Sequence, residues 1–173
     1  MKKLFAAAIL LGSTVAPASA QTLSEGVSSF QPLIGSWACT GQNSPTPETP
    51  GFEFHSKFVF EPTLGGQFVK VSYSETPSES LPMSRDNVEF WQTAEDGFTT
   101  TFFNAFGQSG KLSSAGLSEG NLVWAGQIGT PNGPMPFEGR IQMSGEDQMQ
   151  VSPTLIMPDG TEYPVAVISC SKA

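Results

Sequence analysis

Strict alternation of apolar and polar residues is the feature that most constrains how this chain can fold. It is clearest in "GFEFHSKFVFEP", where four phenylalanines share one face of an extended segment and mostly charged side chains occupy the other. Successive side chains of a β-strand point to opposite faces, whereas a helix repeats about every 3.6 residues. The stretch therefore predicts a strand with one buried face. The four phenylalanines are Phe52, Phe54, Phe58 and Phe60.

Similar runs recur along the chain, separated by short segments rich in Gly, Pro, Asn and Asp. This arrangement is typical of an all-β sandwich or barrel. A short amphipathic helix is predicted over Leu23–Leu33, before the first run. We count about ten runs, at 34–41, 51–61, 67–74, 87–92, 98–105, 109–115, 121–128, 135–143, 147–156 and 161–171.

The two cysteines indicate how the strands are arranged. Cys39 lies in the first run and Cys170 in the last. If the sheet closes on itself, these two strands become antiparallel neighbours, and opposed residues in such a pair lie close enough for a disulfide. We therefore predict an all-β fold, a single antiparallel up-and-down β-barrel of about ten strands with a short N-terminal helix. Trp37 shares a face with Cys39, and we interpret it as a plug beneath the helix, with ligand stacking as the alternative.

The connections between the runs differ at the two ends of the predicted barrel. Because alternate loops of an antiparallel barrel gather at the same end, one end collects "QNSPTPETP", the segment from Glu75 to Asp86, "FGQSG", "GTPNGP" and "MPDG". The opposite end collects "PTLGG", "TAEDG", "GLSEG" and "SGED", which are tight turns of the hairpin sort. Long loops on one rim are where binding sites are usually found.

The N-terminus and the charge balance narrow the functional classes. Lys2 and Lys3, the apolar run Leu4–Leu11 and the small residues before the predicted cut after Ala20 are typical of a secretory signal peptide. We thus expect a signal peptide at 1–20, a single β-barrel domain at 21–173, and a periplasmic or secreted location. Removing the two lysines leaves six basic against sixteen acidic residues, a net charge of −10. That charge disfavours nucleic acid, and no membrane insertion is expected.

The opening of the first strand, "GSWACTG", resembles the Gly-x-Trp motif of the lipocalin and calycin group, including nitrobindin-like barrels. A closer resemblance is to bacterial secreted proteins of the DUF1579 type, through "LIGSW", "LGGQFVKVSYS" and "EFW…GFTTTFFNAFG". The resemblance implies a lipocalin-like β-barrel fold for the domain at 21–173. Nitrobindin-like proteins hold haem through a histidine late in the chain. Because Val165–Ser171 contains no histidine, we predict no cofactor.

Little in the sequence indicates catalysis or a metal site. The single histidine, His55, is predicted to face solvent, and phosphate-loop, zinc-protease and calcium-loop spacings are lacking. A barrel of about ten strands is wide enough to leave a cavity. The candidate ligand-binding residues combine aromatic lining with a few polar groups, as small-molecule sites do. They are Phe54, Phe58, Phe68, Lys70, Thr100, Phe102, Asn104 and Trp124.

Three functional hypotheses follow from this pattern. The first is a secreted or periplasmic protein that binds a small hydrophobic or amphipathic molecule in the barrel. The second is a filled barrel whose rim loops bind another protein, with an apolar patch around Met83, Met135 and Phe137. The third is an enzyme of unknown class, which requires ionisable groups buried in the cavity and would be tested by mutating Lys70 and Asn104.

Overall fold

The computed structural model describes residues 22–47, 50–80, 84–131 and 133–173, and these form a closed β-barrel. A 3₁₀ helix, Glu25–Leu33, precedes the strands and is called the lead-in helix below. The described residues contain eleven strands: β1 (Gly35–Asn43), β2 (Glu53–Thr63), β3 (Phe68–Glu75), β4 (Asn87–Ala94), β5 (Gly97–Asn104), β6 (Ser109–Ser114), β7 (Asn121–Thr130), β8 (Gly133–Met143), β9 (Gln148–Ile156), β10 (Glu162–Pro164) and β11 (Ala166–Lys172).

Ten of these strands close the barrel, as the sequence predicted. Strands β1 to β8 pair consecutively, β8 pairs with β9, and β9 pairs with β11, which returns to β1. All of the pairings are antiparallel. The short β10 is an addition that pairs only with the far end of β9. Closure pairs the strands that would otherwise present open edges.

The predicted run 161–171 is broken into two strands at Val165. The backbone N–H of Val165 donates to the carbonyl of Pro153, and its own carbonyl accepts from Ser44 N–H. On one side of this break β10 pairs with β9 alone, while on the other β11 pairs with both β9 and β1. The break therefore marks the point where the last segment joins the barrel wall.

The disulfide across the barrel seam is confirmed. Cys39 lies directly opposite Cys170 in the β1–β11 register, with their Cα atoms 4.1 Å apart and their sulfur atoms bonded. Both cysteines are buried and face the interior. The bond links positions that are 131 residues apart in the chain.

The lead-in helix closes one end of the barrel. Its apolar residues Val27, Phe30 and Leu33 are buried, and the ring of Phe30 packs edge-on against Trp91 at 5.0 Å. Trp37 is fully buried beneath the helix, and its Nε1 donates to the carbonyl of Leu33 at 2.8 Å, as its interpretation as a plug predicted. The connections after β2, β4, β6 and β8 lie at this closed end. Those after β1, β3, β5, β7 and β9 form the opposite end, called the open rim below.

Three aromatic side chains lie over glycines of the neighbouring strand, one of them Phe102, which is opposite Gly110 in the β5–β6 register. Phe54 is opposite Gly41 in the β1–β2 register, and Trp124 is opposite Gly139 in the β7–β8 register. A Cβ atom at any of these glycines would collide with the facing ring. The glycines therefore let the rings lie along the wall, leaving space in the middle of the barrel.

Candidate functional site

A cavity of about 300 Å³ occupies the half of the barrel next to the open rim. Its walls are largely apolar and come from strands on all sides of the barrel. The apolar lining includes Phe54, Phe58, Trp124, Phe137, Val151, Ala166 and Ile168. Phe106, in the β5–β6 connection, lines the mouth and is 54% exposed. The size and lining are those of a small-molecule site.

Packed aromatic rings beneath the cavity form its floor. Trp91 lies 5.9 Å from Trp124 between ring centroids, and Phe60 packs edge-on against Trp91 at 5.8 Å. Phe30 of the lead-in helix contacts Trp91 from the closed end. The half of the barrel below this layer is filled by side chains, so the space available to a ligand is at the open rim.

The carboxyl group of Glu89 lines the cavity directly above this floor. Strand alternation places Glu89 on the inner face of β4, between Asn87 at the rim and Trp91 below. Its side chain is only 8% exposed, and its Oε2 accepts a hydrogen bond from Trp91 Nε1 at 2.7 Å. Burial raises the pKa of Glu89 to about 7, although the Trp91 hydrogen bond opposes that rise. Among the described residues it forms no ion pair.

A second buried carboxylate, Glu75, is neutralised within the protein. Arg85 Nε lies 2.5 Å from its Oε2, and the hydroxyl of Tyr73 donates to its Oε1. The Arg85 guanidinium also lies over the ring of Phe54, 5.2 Å from the centroid, and donates to Asn43 Oδ1 at 3.3 Å. Burial, reinforced by the hydrogen bond to Glu75, raises the pKa of Tyr73 far above its usual range. This cluster ties the segment before β4 to β1 and β3.

Two asparagine side chains at the mouth, Asn104 and Asn87, differ in how far their hydrogen-bonding groups are satisfied. Asn104 Oδ1 accepts the backbone N–H groups of Phe106 and Gln108, each at 3.0 Å, and its Nδ2 donates to Gln108 Oε1. Asn104 thus holds the β5–β6 turn in place. Asn87 lines the same cavity, but its Oδ1 is buried without a hydrogen-bond partner.

The structure brings four of the eight predicted ligand residues to the cavity: Phe54, Phe58, Asn104 and Trp124. Thr100 and Phe102 are buried on the inner face of β5 but do not line the cavity. Phe68 and Lys70 lie on the outer face of β3, where Lys70 pairs with Glu61 at 2.7 Å. The reason is the register, since inward Phe60 of β2 faces Val71, so alternate β3 residues point outward.

The most distinctive polar residues of the cavity were not among the predicted site residues. Glu89 and Asn87 share a strand face with the buried Trp91 at two-residue spacing, and Tyr73 and Glu75 share a face with the buried Val71 in the same way. The two-residue period therefore contained the signal for both carboxylates. Arg85 precedes β4 and carries no such signal.

Other predictions concern the outer surface, metals and membranes. His55 is exposed on the outer face of β2, as expected. Within the described ranges, no group of three His, Cys, Asp or Glu side chains is placed to hold a metal ion. In the same ranges, no helix has the length and apolar character needed to cross a membrane.

Comparison with known proteins supports the fold. No protein-family model matches the sequence, and no curated protein is significantly similar to it. Among solved structures, Rv2717c from M. tuberculosis is similar with a TM-score of 0.70 at 15% identity, covering 87% of this chain and 99% of that one. The S-type phycobiliprotein lyase CPES from Guillardia theta is similar with a TM-score of 0.55 at 11% identity, covering 83% of this chain and 90% of that one. The chain therefore has a lipocalin-like, calycin-type barrel fold.

Proposed function

We propose that this barrel binds a small apolar or amphipathic molecule in the cavity at the open rim. The observation that carries the proposal is the cavity itself, about 300 Å³ with apolar walls and a few buried polar groups. Phe54 and Trp124 lie along the wall over glycines. The space in the barrel therefore results from how these large rings are placed and not only from small side chains.

The alternative of a filled barrel that binds another protein has less support. A filled barrel would leave no such space, and Phe137 of the predicted apolar patch lines the cavity instead of forming a surface. Met135 is half-buried, and Met83 lies outside the described residues. We therefore retain the small molecule as the proposed partner.

We further propose that the chain is exported. The predicted signal peptide, 1–20, and its cut after Ala20 lie outside the described residues, so this proposal rests on the sequence. The Cys39–Cys170 disulfide supports it, because such bonds persist in oxidising compartments. Kinship with DUF1579-type secreted proteins is proposed on the quoted motifs alone. Likeness to the phycobiliprotein lyase concerns the fold alone.

Binding can be tested with N-phenyl-1-naphthylamine, an uncharged probe that fluoresces in apolar surroundings. The test compares two substitutions at adjacent positions of β11. Ala166 is buried and lines the cavity, whereas the side chain of Val167 is 45% exposed on the outer face. A166F should fill the cavity and abolish saturable binding, while V167F should bind like the unmodified protein.

Two results would contradict the proposal. One is the lack of saturable binding by the unmodified protein, and the other is equal binding by A166F and V167F. Because A166F could also disturb folding, the milder A166M should reduce the affinity to an intermediate value. Circular dichroism of each variant checks that the barrel is intact.

A further inference from the structure

The donors in and beneath the cavity are mostly engaged within the protein. Arg85 donates to Glu75 and Asn43, and the Tyr73 hydroxyl donates to Glu75. The Trp91 indole donates to Glu89, and Asn104 Nδ2 donates to Gln108. A ligand that brings only acceptors, such as a carboxylate, would therefore have to compete with bonds already made.

Acceptors in the cavity, in contrast, are incompletely used. Glu89 is more than nine-tenths buried and receives one hydrogen bond from the protein, although a carboxylate can accept several. Asn87 Oδ1, at the next inward position toward the rim, is buried and receives none. Buried polar groups normally have partners, and each exception calls for an explanation. One unsatisfied acceptor, Asn87 Oδ1, and one partly used carboxyl group, Glu89, on the same strand face point to a ligand with several donors.

The charged groups at the cavity are mostly acidic, which also favours a ligand that donates hydrogen bonds. Arg85 is the one basic side chain among the described lining residues, and it is already paired with Glu75. The other ionisable acids in the lining are Glu89 and, at the rim, Asp86. An anionic headgroup would meet these carboxyl groups without a free cation, whereas a cationic one would find partners.

We propose, on the basis of the function proposed above, that the ligand is an amphipathic amine whose protonated nitrogen is held between Glu89 and Asn87. The apolar part of this ligand lies against the aromatic wall formed by Phe54, Phe58 and Trp124. A protonated amine has up to three N–H donors, enough for both acceptors. Because a nearby cation favours the charged carboxylate, binding should lower the pKa of Glu89 from about 7 and release protons near neutral pH.

The experiment uses three ligands with the same ten-carbon tail and different headgroups: decylamine, decanol and decanoate. Each is titrated calorimetrically, below its aggregation concentration, into the unmodified protein and into E89Q. E53Q is the matched control, because Glu53 is an exposed residue on the outer face of β2 and its substitution removes the same charge. The amine titration is repeated near pH 7 in buffers of different ionisation enthalpy, which measures proton release without any variant.

We expect decylamine to bind the unmodified protein about tenfold or more tightly than decanol, since hydrogen bonds to charged groups are among the stronger ones. Decanoate should bind most weakly. In E89Q the preference for the amine should disappear, and in E53Q it should remain. Proton release should accompany amine binding to the unmodified protein and should be lost in E89Q.

The outcomes separate this inference from the proposed function. If the naphthylamine probe binds but decylamine binds no better than decanol, or if E89Q keeps the preference, the amine inference is overturned and the binding cavity stands. A preference for decanoate would overturn it as well. If the probe and all three ligands fail to bind, the proposed function itself is wrong.

Discussion

The indole Nε1 of Trp91 donates to Oε2 of Glu89 over 2.7 Å, which joins the aromatic floor of the cavity to the carboxyl above it. Trp91 is held in turn by Phe30, Phe60 and Trp124. The position of this carboxyl is therefore set by core packing at the closed end, although the group itself faces the ligand space.

The first prediction concerns Glu89 and pH. Its pKa is raised from 4.5 to about 7 in the folded protein, so the folded state binds the proton more tightly than the unfolded chain. Stability should therefore fall as pH rises from about 4.5 to about 7, and remain lower above that range. E89Q removes this penalty. Its free energy of unfolding, measured relative to that of the unmodified protein, should therefore be roughly 3 kcal/mol higher at about pH 8 than at about pH 4.

Urea unfolding at the two pH values measures this difference. E53Q keeps Glu89 and loses only an exposed side chain, so its stability should follow the same pH dependence as that of the unmodified protein. An E89Q variant whose stability follows the same pH dependence as the unmodified protein would show that Glu89 is solvated in the folded state.

The second prediction concerns the pair of Arg85 and Glu75. The Glu75 side chain is 3% exposed and that of Arg85 27%, so R85Q would leave a buried carboxylate without its cation. We expect a loss of roughly 3 kcal/mol in the free energy of unfolding. The control is K70Q, because Lys70 and Glu61 are 35% and 47% exposed and such pairs contribute less than about 1 kcal/mol. Equal losses in the two variants would contradict the buried role of the Glu75 pair.

The third prediction concerns the Trp124 ring, which lies over Gly139. A methyl group at Gly139 would collide with the indole of Trp124, which would have to move toward the cavity. G139A should cost about 1–3 kcal/mol and weaken binding of the naphthylamine probe. In the paired strand, Gly129 is exposed and a Cβ there would approach only the Ser109 carbonyl, at 3.2 Å. G129A should therefore leave probe binding unchanged, and the same weakening in both variants would argue against the steric explanation.

The fourth prediction concerns the seam. The disulfide closes a loop with a sequence separation of 131, and in the chain-entropy model a cross-link of this length stabilises by roughly 4–5 kcal/mol. The double variant C39A/C170A should lose stability of that order while keeping a strand-rich circular dichroism spectrum. Reduction of the unmodified protein should produce a similar loss. A midpoint of unfolding that moves little in either case would mean that the cross-link constrains the unfolded chain weakly.

The sequence alone was enough to predict the class of fold and its closure. Side-chain alternation depends only on local backbone geometry, so Phe54, Phe58 and Phe60 could be placed on the inner face without coordinates. The pairing of Cys39 with Cys170 followed from counting antiparallel strands around a closed sheet. The same counting placed the long loops at one rim, which is where the cavity opens.

Tertiary structure decided which inward residues surround a space and which fill the core. Alternation cannot separate Glu89, which lines the cavity, from Trp91, which lies below it, because that division depends on how rings from several strands and the lead-in helix meet. Nor could it assign the faces of β3, where Phe68 and Val69 are both apolar and only pairing with Phe60 of β2 sets the direction. Periodicity is a property of one strand, whereas a cavity and a strand register are properties of neighbours that are distant in sequence.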